Sequence, residues 1–319
     1  MRVKPVNSNL KIGLAGYGEV GKILARAMRA QGVAWVGAWD VLFRDPSQGV
    51  AMKERATQDG VEACSSLGAL LACADIVISA VTAANAFEVA SEAAQSVRSG
   101  TFFLDLNSAS PMTKAKAAKL IDGAGAHYVE AGVMTSVPPY GIRAPMLLGG
   151  VRAGALADKL APLGFDLTVV SEGIGVASAM KLCRSVFIKG LEAIIVESYT
   201  LARCHGVERQ LLASLTETFP EIDWDKQGTY FFSRVAKHGK RRAEEMREAA
   251  NTVREAGFDP WMSAASAETQ DWVAALSKRG LFHDLSAEAG WRDYADKIIA
   301  ALEKKGVPTL SATTPQRSA

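Results

Sequence analysis

The stretch Lys11-Ile-Gly-Leu-Ala-Gly-Tyr-Gly-Glu-Val-Gly21 places Gly16, Gly18 and Gly21 in a G-x-G-x-x-G spacing. An apolar run precedes the glycines, a helical pattern follows them, and Asp40 closes a second apolar run. This order is typical of a βαβ unit whose glycines allow a tight turn, close approach of a pyrophosphate to the backbone, and close helix–strand packing. The helix N-terminus adds free N–H groups and a positive dipole end. We therefore predict a dinucleotide-binding site; the alternative is a glycine-rich turn in another kind of α/β protein.

The acid that follows the motif bears on which dinucleotide binds. A carboxylate at Asp40 accepts hydrogen bonds from a ribose diol and repels a 2′-phosphate, which favours NAD. Arg44 lies four residues further on and could soften that repulsion, so NADP stays open. We expect no metal. The residues expected to contact the cofactor are Gly16, Tyr17, Gly18, Glu19, Val20, Gly21 and Asp40, with Val81 and Thr82 after the third candidate strand.

The length of the chain predicts two domains, because 319 residues exceed what one core usually serves. Short runs rich in Val, Ile and Leu alternate with helix-length segments up to about residue 170, and almost everything after residue 177 has a helical pattern. We predict an α/β fold: an N-terminal Rossmann-type, doubly wound, mostly parallel sheet, followed by an all-α C-terminal domain. The dinucleotide-binding domain would span residues 1–173 and the helical substrate and dimerisation domain residues 174–304. A tail rich in Thr, Ser and Pro, residues 305–319, is expected to be disordered. The candidate strands are Lys11–Ala15, Ala34–Trp39, Ile76–Ala80, Phe102–Asp105, His127–Ala131, Met146–Gly149 and Asp166–Val170.

Composition excludes several classes of protein. A net charge of +2 argues against a dedicated nucleic-acid surface, and no apolar run approaches the 18 residues of a membrane span. The N-terminus shows no signal-peptide pattern. The four cysteines have no C-x-x-C spacing, so we expect buried thiols of a cytoplasmic protein and neither disulfides nor a zinc site.

One long, very apolar helix is predicted from about Ala177 to near Cys204. Its apolar residues surround most of its circumference, which predicts burial on all sides. We expect a homodimer in which each chain's helix packs on its partner. The alternative is a central helix in a monomeric bundle.

Polar residues follow the candidate strand Phe102–Asp105 in the segment Asp105-Leu-Asn-Ser-Ala-Ser-Pro111. Ligands of open α/β sheets bind outside the carboxyl ends of the strands, so Asn107 and Ser108 are candidate substrate contacts. Ser110 is expected only to cap the helix that Pro111 begins.

Lys181 falls in the first turns of the long apolar helix, with Arg184 and Ser185 one turn further on. Helical spacing places Ser185 on the same face as Lys181. Desolvation would lower the pKa of a buried lysine toward neutrality, which suits proton transfer to or from a substrate oxygen. The alternative is a lysine whose head extends to the surface near a helix end.

A dense basic cluster occupies residues 237–242, followed by Glu244 and Glu245. We expect most of it to be a solvated helix face with ion pairs between neighbouring turns. One or two of its cations could reach the cleft and hold a substrate carboxylate.

Taken together, these segments resemble the β-hydroxyacid dehydrogenase family, which includes 3-hydroxyisobutyrate and 6-phosphogluconate dehydrogenases. The resemblance covers about residues 11–300 and rests on the Asp105–Pro111 loop and the Lys181 helix. The stretches Glu130-Ala-Gly-Val-Met-Thr-Ser-Val-Pro-Pro-Tyr-Gly141 and His238-Gly-Lys-Arg-Arg-Ala-Glu-Glu-Met246 look closest to a subgroup with a C-terminal domain of initially unknown function.

The resemblance implies hydride transfer between nicotinamide and the hydroxyl-bearing carbon of a small hydroxy acid. It makes Lys181 the general acid/base and Ser108 a substrate-binding residue. Asn107 matches the serine that precedes that residue, and Lys240 falls near the family's second lysine by the substrate carboxylate. Loss of carbon dioxide from a 3-keto product is conceivable.

Three departures leave the substrate open. The family's K-x-x-N-N helix is Lys181-Leu-Cys-Arg-Ser185 here, so Ser185 replaces the asparagine that orients the substrate hydroxyl and Arg184 its neighbour. Met134 begins the segment that stands where the family has a serine-glycine-glycine loop. Arginine adds a charged fork suited to a carboxylate or phosphate. An imine reductase on the same fold, disfavoured by Lys181, and a non-catalytic NAD(P)-binding protein are the alternatives.

Overall fold

A computed structural model of the chain describes residues 9–303, so the predicted tail at 305–319 lies outside the described residues. Residues up to Cys183 form one compact unit, and residues from Arg184 onward form a second. The division between the units falls inside a helix, ten residues after the boundary at 173 that the sequence analysis proposes.

The first unit is built on one eight-stranded sheet with the order β3-β2-β1-β4-β5-β6-β7-β8. All neighbouring strands run parallel except β6 and β7, which are antiparallel. The strands are β1 Lys11–Ala15, β2 Trp35–Trp39, β3 Glu62–Ala63, β4 Ile76–Ser79, β5 Phe102–Asp105, β6 His127–Val133, β7 Met146–Gly149 and β8 Leu167–Ser171.

Helices connect these strands and cover both faces of the sheet. Buried side chains separate into two clusters: Ile12 and Leu14 pack with Leu24 of α1, whereas Val77 and Phe103 belong to the other cluster. Two cores on opposite faces are what a doubly wound sheet requires. The helices are α1 Glu19–Ala30, α2 Gly49–Gln58, α3 Leu67–Cys73, α4 Ala86–Ala94, α5 Pro111–Gly123, α6 Val137–Tyr140 and α7 Ala153–Leu160.

Helix α8, Val176–Cys204, begins in the first unit and continues into the second. The described part of the second unit contains helices and no strand. Its core centres on Trp291, whose ring lies 4.8 Å from that of Tyr199 and also contacts Phe232. The remaining helices are α9 Glu208–Thr218, α10 Trp224–Glu255, α11 Trp261–Lys278 and α12 Trp291–Glu303.

The predicted fold class is confirmed, and the seven predicted strands are present: three have the predicted ends, and the ends of the other four differ by one or two residues. The sequence analysis missed β3, which has only two residues and an exposed Glu62.

Two expectations about burial are wrong. Helix α8 is not buried on all sides, because Phe187, Ile194 and Leu201 on one stripe are 70%, 48% and 57% exposed in the single chain. Of the cysteines only Cys64 is buried, whereas the cysteines at 73 and 183 are exposed. The apolar periodicity of the sequence predicts the helix. It does not distinguish a stripe that faces the core from a stripe of equal apolarity that faces outward.

Candidate active site

The three glycines of the loop after β1 are required for different structural reasons. Gly16 has φ +102°, and a Cβ on it would lie 2.5 Å from the carbonyl oxygen of Ala80. A Cβ on Gly21 would lie 2.2 Å from the carbonyl oxygen of Gly16, so this glycine lets α1 pack against the turn. A Cβ on Gly18 would meet nothing within 4 Å. Gly18 is the N-cap of α1 and has no side chain to cover the helix end. A pyrophosphate group fits this open helix N-terminus.

Asp40 stands at the carboxyl end of β2 with both carboxylate oxygens in hydrogen bonds. Oδ2 accepts from the backbone N–H of Tyr17 at 2.7 Å, and Oδ1 accepts from that of Leu42 at 2.9 Å. Each oxygen keeps a second lone pair, so a ribose diol can still donate to this carboxylate. Arg44, which ends the short 3₁₀ helix after Asp40, is exposed.

Tyr17 turns its side chain away from the open helix end. The ring is fully buried and its hydroxyl donates to Asp59 at 3.0 Å. Burial, together with this bond, raises the pKa of Tyr17. The predicted cofactor contact of Tyr17 stays a prediction, and a fully buried side chain limits it to the backbone. Glu19 is exposed and Val20 half-buried in the first turn of α1.

Asn107 ties together the carboxyl ends of β4 and β5. Its Oδ1 accepts from the backbone N–H of Val81 at 2.7 Å, and its Nδ2 donates to Ser79 Oγ at 2.9 Å. Val81 is half-buried and Thr82 exposed. Asn107 is 5% exposed, so its amide braces the two strand ends rather than facing solvent.

Lys181 and Ser108 meet although 73 residues separate them. Lys181 Nζ donates to Ser108 Oγ at 2.5 Å, and both residues are half-buried. Ser110 caps α5 as predicted: its Oγ accepts from the backbone N–H of Thr113. The head of Lys181 therefore lies at the carboxyl end of β5, where parallel α/β sheets bind their ligands.

A buried polar group supports the loop that carries Ser108. Asp105 accepts the hydroxyl of Tyr128 at 2.6 Å and pairs with the fully buried Lys114 at 3.2 Å. Lys114 also donates to the carbonyl oxygen of Asp105. Burial, followed by the nearby Asp105 carboxylate, raises the pKa of Tyr128, which stays a neutral donor. The sequence analysis missed Lys114 and Tyr128, although a lysine in an otherwise apolar helix face is a signal of a buried partner.

The other predicted substrate contacts are divided between the two units. Met134 is half-buried, and its backbone N–H donates to the carbonyl oxygen of Pro145. Arg184, Ser185 and Lys240 belong to the second unit. Ser185 is buried and accepts from Lys189 Nζ at 3.3 Å, whereas Arg184 and Lys240 are exposed.

The basic cluster on α10 is expected to be mostly a solvated face, and Arg242 is a member of it that is buried instead. Arg242 is 6% exposed and forms an ion pair with Glu192 of α8, which is fully buried. Burial raises the pKa of Glu192 against the opposing effect of Arg242. Lys189 pairs with Glu245 at 2.5 Å in the same unit. The first pair balances a buried carboxylate and the second a half-buried one, and both join α8 to α10.

Within residues 9–303 no cluster of histidine, cysteine and carboxylate side chains is arranged to hold a metal ion. Over the same residues, no helix is long and apolar enough to cross a membrane.

Two protein-family models match parts of the chain. Residues 11–143 match the NAD-binding domain of 6-phosphogluconate dehydrogenase, and residues 202–273 match a domain of unknown function, DUF1932. A conserved hypothetical protein from Sinorhizobium meliloti is 37% identical over 93% of this chain and 98% of its own, with a TM-score of 0.74.

A second solved structure, of a protein of unknown function described as similar to 3-hydroxyacid dehydrogenases, is 30% identical over 85% of this chain and 99% of its own, with a TM-score of 0.64. The 2-(hydroxymethyl)glutarate dehydrogenase of Eubacterium barkeri is 26% identical over 66% of this chain and 69% of its own. The chain belongs to the β-hydroxyacid dehydrogenase family, with a DUF1932 C-terminal domain. It is an NAD(P)-dependent oxidoreductase of the kind that acts on CH–OH groups.

More distant structures share the fold alone. The 3-hydroxyisobutyrate dehydrogenase of Mycobacterium tuberculosis, solved with L-serine, is 17% identical over 92% of this chain and 99% of its own, with a TM-score of 0.66. A reductive aminase from Aspergillus terreus is 20% identical over the same shares, with a TM-score of 0.53.

Proposed function

We propose that the protein transfers a hydride between NAD and a small 3-hydroxy acid, with Lys181 as general acid/base. The observation that carries the proposal is the hydrogen bond of 2.5 Å between Lys181 Nζ and Ser108 Oγ at the carboxyl end of β5. A lysine and a hydroxyl held together at this edge can both reach one substrate oxygen. The 2-(hydroxymethyl)glutarate dehydrogenase and the 30%-identical structure that is similar to 3-hydroxyacid dehydrogenases support this substrate class.

The chain's own residues would act as follows. During oxidation, Lys181 in its neutral form accepts the proton of the substrate hydroxyl as the C–H bond gives up its hydride; during reduction its ammonium returns that proton. Ser108 holds the substrate oxygen beside Lys181, and Asn107 fixes the loop from behind. Nicotinamide C4, when bound, supplies the hydride acceptor or donor.

Ser185, Arg184, Met134 and Lys240 stay proposed substrate contacts. Ser185 would orient the substrate hydroxyl where relatives have an amide, and one of the two cations would pair with the substrate carboxylate. If the product is a 3-keto acid, decarboxylation is an outcome to be measured as released carbon dioxide.

Asp40 supports the preference for NAD over NADP. Its carboxylate already accepts two backbone hydrogen bonds, which hold it at the end of β2 where a ribose would lie. We expect kcat/KM to be higher with NAD than with NADP. A higher value with NADP would reject this preference without affecting the role of Lys181.

The test of the function is turnover of 3-hydroxyisobutyrate, 2-(hydroxymethyl)glutarate and L-serine with NAD and with NADP, in the wild type and in Lys181→Met. The variant should lose about 10²–10⁴-fold in kcat/KM, the usual contribution of general acid/base catalysis. The control is Lys119→Met, an exposed lysine of α5, which should keep full activity. Wild-type turnover by Lys181→Met at every pH would contradict the proposal, and reduction of a cyclic imine with none of the acids oxidised would favour the imine-reductase alternative.

The homodimer stays a proposal that the exposed stripe on α8 supports. Met180, Phe187, Ile194 and Leu201 recur every seven residues and are all exposed in the single chain. A seven-residue apolar repeat presents one continuous seam to a second helix. A cytoplasmic location stays a prediction from cysteine usage.

A further inference from the structure

One side of β6 contacts both of the segments that carry Lys181 and Ser108. Successive residues of a strand point to opposite faces, so Tyr128, Glu130 and Gly132 share a face. Tyr128 donates to Asp105 at the start of the loop that carries Ser108. Glu130 and Gly132 contact the beginning of α8, which carries Lys181. The relative position of Lys181 and Ser108 is therefore set by neighbouring residues of a single strand.

Glu130 is the centre of this arrangement. It is fully buried, and its carboxylate accepts four hydrogen bonds from the first turn of α8. Oε1 accepts from the backbone N–H of Gly175 at 2.7 Å and of Ala177 at 3.0 Å. Oε2 accepts from the backbone N–H of Ser178 at 3.3 Å and from its hydroxyl at 2.7 Å. A carboxylate here meets both the open N–H groups and the positive end of the helix dipole.

The neighbouring glycines make room for this contact. A Cβ on Gly149, the β7 residue opposite Glu130, would lie 2.6 Å from Glu130 Oε1. A Cβ on Gly132 would lie 2.7 Å from the carbonyl oxygen of Ala177 and 3.4 Å from Lys181 Cβ. Helix α8 thus lies directly on β6, and its first turn can be fixed by a side chain as short as glutamate.

We propose that Glu130 is a positioning residue: by holding the first turn of α8 on β6, it fixes the place of Lys181 against Ser108. The proposal rests on the proposed function, because the position of Lys181 against Ser108 affects turnover only if Lys181 is the general acid/base. It adds a residue that touches neither the substrate nor the reacting atoms. Glu130 acts through the backbone of α8, one turn before Lys181.

The test compares Glu130→Gln with a matched control, Asp122→Asn. Both variants replace a carboxylate with its amide in the same unit, and Asp122, which is exposed, also accepts a backbone N–H, that of Tyr128 at 2.8 Å. In Glu130→Gln an NH₂ group must face N–H donors of α8, so the first turn shifts. Displacement of a reacting group by about 1 Å can cost about 10²-fold in rate.

We expect Glu130→Gln to lower kcat with 3-hydroxyisobutyrate or 2-(hydroxymethyl)glutarate by about 10²-fold while substrate KM and the Kd of NAD stay within about twofold. Asp122→Asn should keep kcat within about twofold. A merely structural role would lower the free energy of unfolding of Glu130→Gln and leave kcat of the folded protein unchanged. If Glu130→Gln is not recovered folded, Glu130→Asp, shorter by one methylene, replaces it with the same expectations. Unchanged kcat in the folded variant, or an equal loss in Asp122→Asn, would overturn the proposal.

Crystal structures of the two variants separate this inference from the proposed function. The distance between Lys181 Nζ and Ser108 Oγ, 2.5 Å in the wild type, should lengthen in Glu130→Gln and stay the same in Asp122→Asn. This distance is measurable even if none of the three acids is a substrate. An unchanged distance in Glu130→Gln would overturn the inference, and a lengthened one would support it whatever the substrate panel shows.

Discussion

Asn107 and Ser108 are neighbours in the chain with different partners. The Asn107 amide pairs with the half-buried N–H of Val81, whereas the Ser108 hydroxyl pairs with Lys181. Asn107→Ala would leave the Val81 N–H unsatisfied, which costs about 1–3 kcal/mol. We expect that loss in the free energy of unfolding, measured by urea denaturation. Ser108→Ala should change stability less and lower kcat/KM more. Equal effects of the two variants on both quantities would contradict this division of roles.

Asp59 is a single residue that makes the stability of the fold depend on pH. Burial alone would raise its pKa, but hydrogen bonds from Arg26 and Tyr17 outweigh that effect and hold the pKa of Asp59 below its ordinary value. A depressed carboxylate pKa stabilises the fold above the unfolded value, and this stabilisation is lost as the pH falls through the folded value. Asp59→Asn should therefore be less stable than the wild type at neutral pH, and the difference should shrink below about pH 4.

Urea denaturation at several pH values measures that difference. Asp158→Asn is the control, because Asp158 is exposed on α7 and its substitution should give a small, pH-independent change. A difference for Asp59→Asn that stays constant from neutral pH to pH 3 would mean that the ion pair with Arg26 at 2.9 Å adds nothing to the fold.

Among the elements of the fold, the turn between β1 and α1 contains one glycine that the fold requires and another that we expect only cofactor binding to require. Gly21→Ala places a methyl group 2.2 Å from the Gly16 carbonyl oxygen, so α1 cannot keep its position and stability should fall. Gly18→Ala meets no protein atom within 4 Å, so the fold should keep its stability. The added methyl would stand where the pyrophosphate approaches, and we expect NAD affinity to fall about tenfold or more.

Thermal unfolding and fluorescence titration with NADH distinguish the two glycine variants. Each variant serves as the other's control, because both add one methyl group within the same loop. NADH binding by Gly18→Ala with wild-type affinity would show that the cofactor does not cross this glycine.

The strands could be predicted because each is an apolar run bounded by polar or glycine-rich segments, and parallel strands buried on both faces leave that pattern. β3 could not, because two residues with an exposed Glu62 carry no such pattern. Ser108 could be proposed as a site residue because it follows a strand, and Lys181 because it lies in the first turns of a helix. The hydrogen bonds of Glu130 and Asn107 could not be predicted, because their partners lie 26 to 48 residues away in the chain. Which residues meet depends on how the strands align.

At the scale of the whole molecule, α8 presents an apolar seam that a single chain leaves exposed. Its members Phe187, Ile194 and Leu201 are each about half exposed or more. Burying such side chains against a second copy would contribute about 25 cal/mol for each Å² of apolar surface removed from water. A closed dimer with twofold symmetry covers the same stripe on both chains at once.

Phe187→Glu should therefore shift the protein from dimer to monomer, because a buried carboxylate without a partner is costly. Light scattering coupled to size-exclusion chromatography measures the mass of the particle in solution. The control is Val151→Glu, a substitution at a 77% exposed valine of the first unit that is not part of the α8 stripe, which should leave the mass unchanged. A monomeric wild type, or a Phe187→Glu variant that stays dimeric, would show that this seam is not where two chains meet. Because Lys181 stands on the same helix, loss of the dimer should also lower kcat, and this loss should be absent in Val151→Glu.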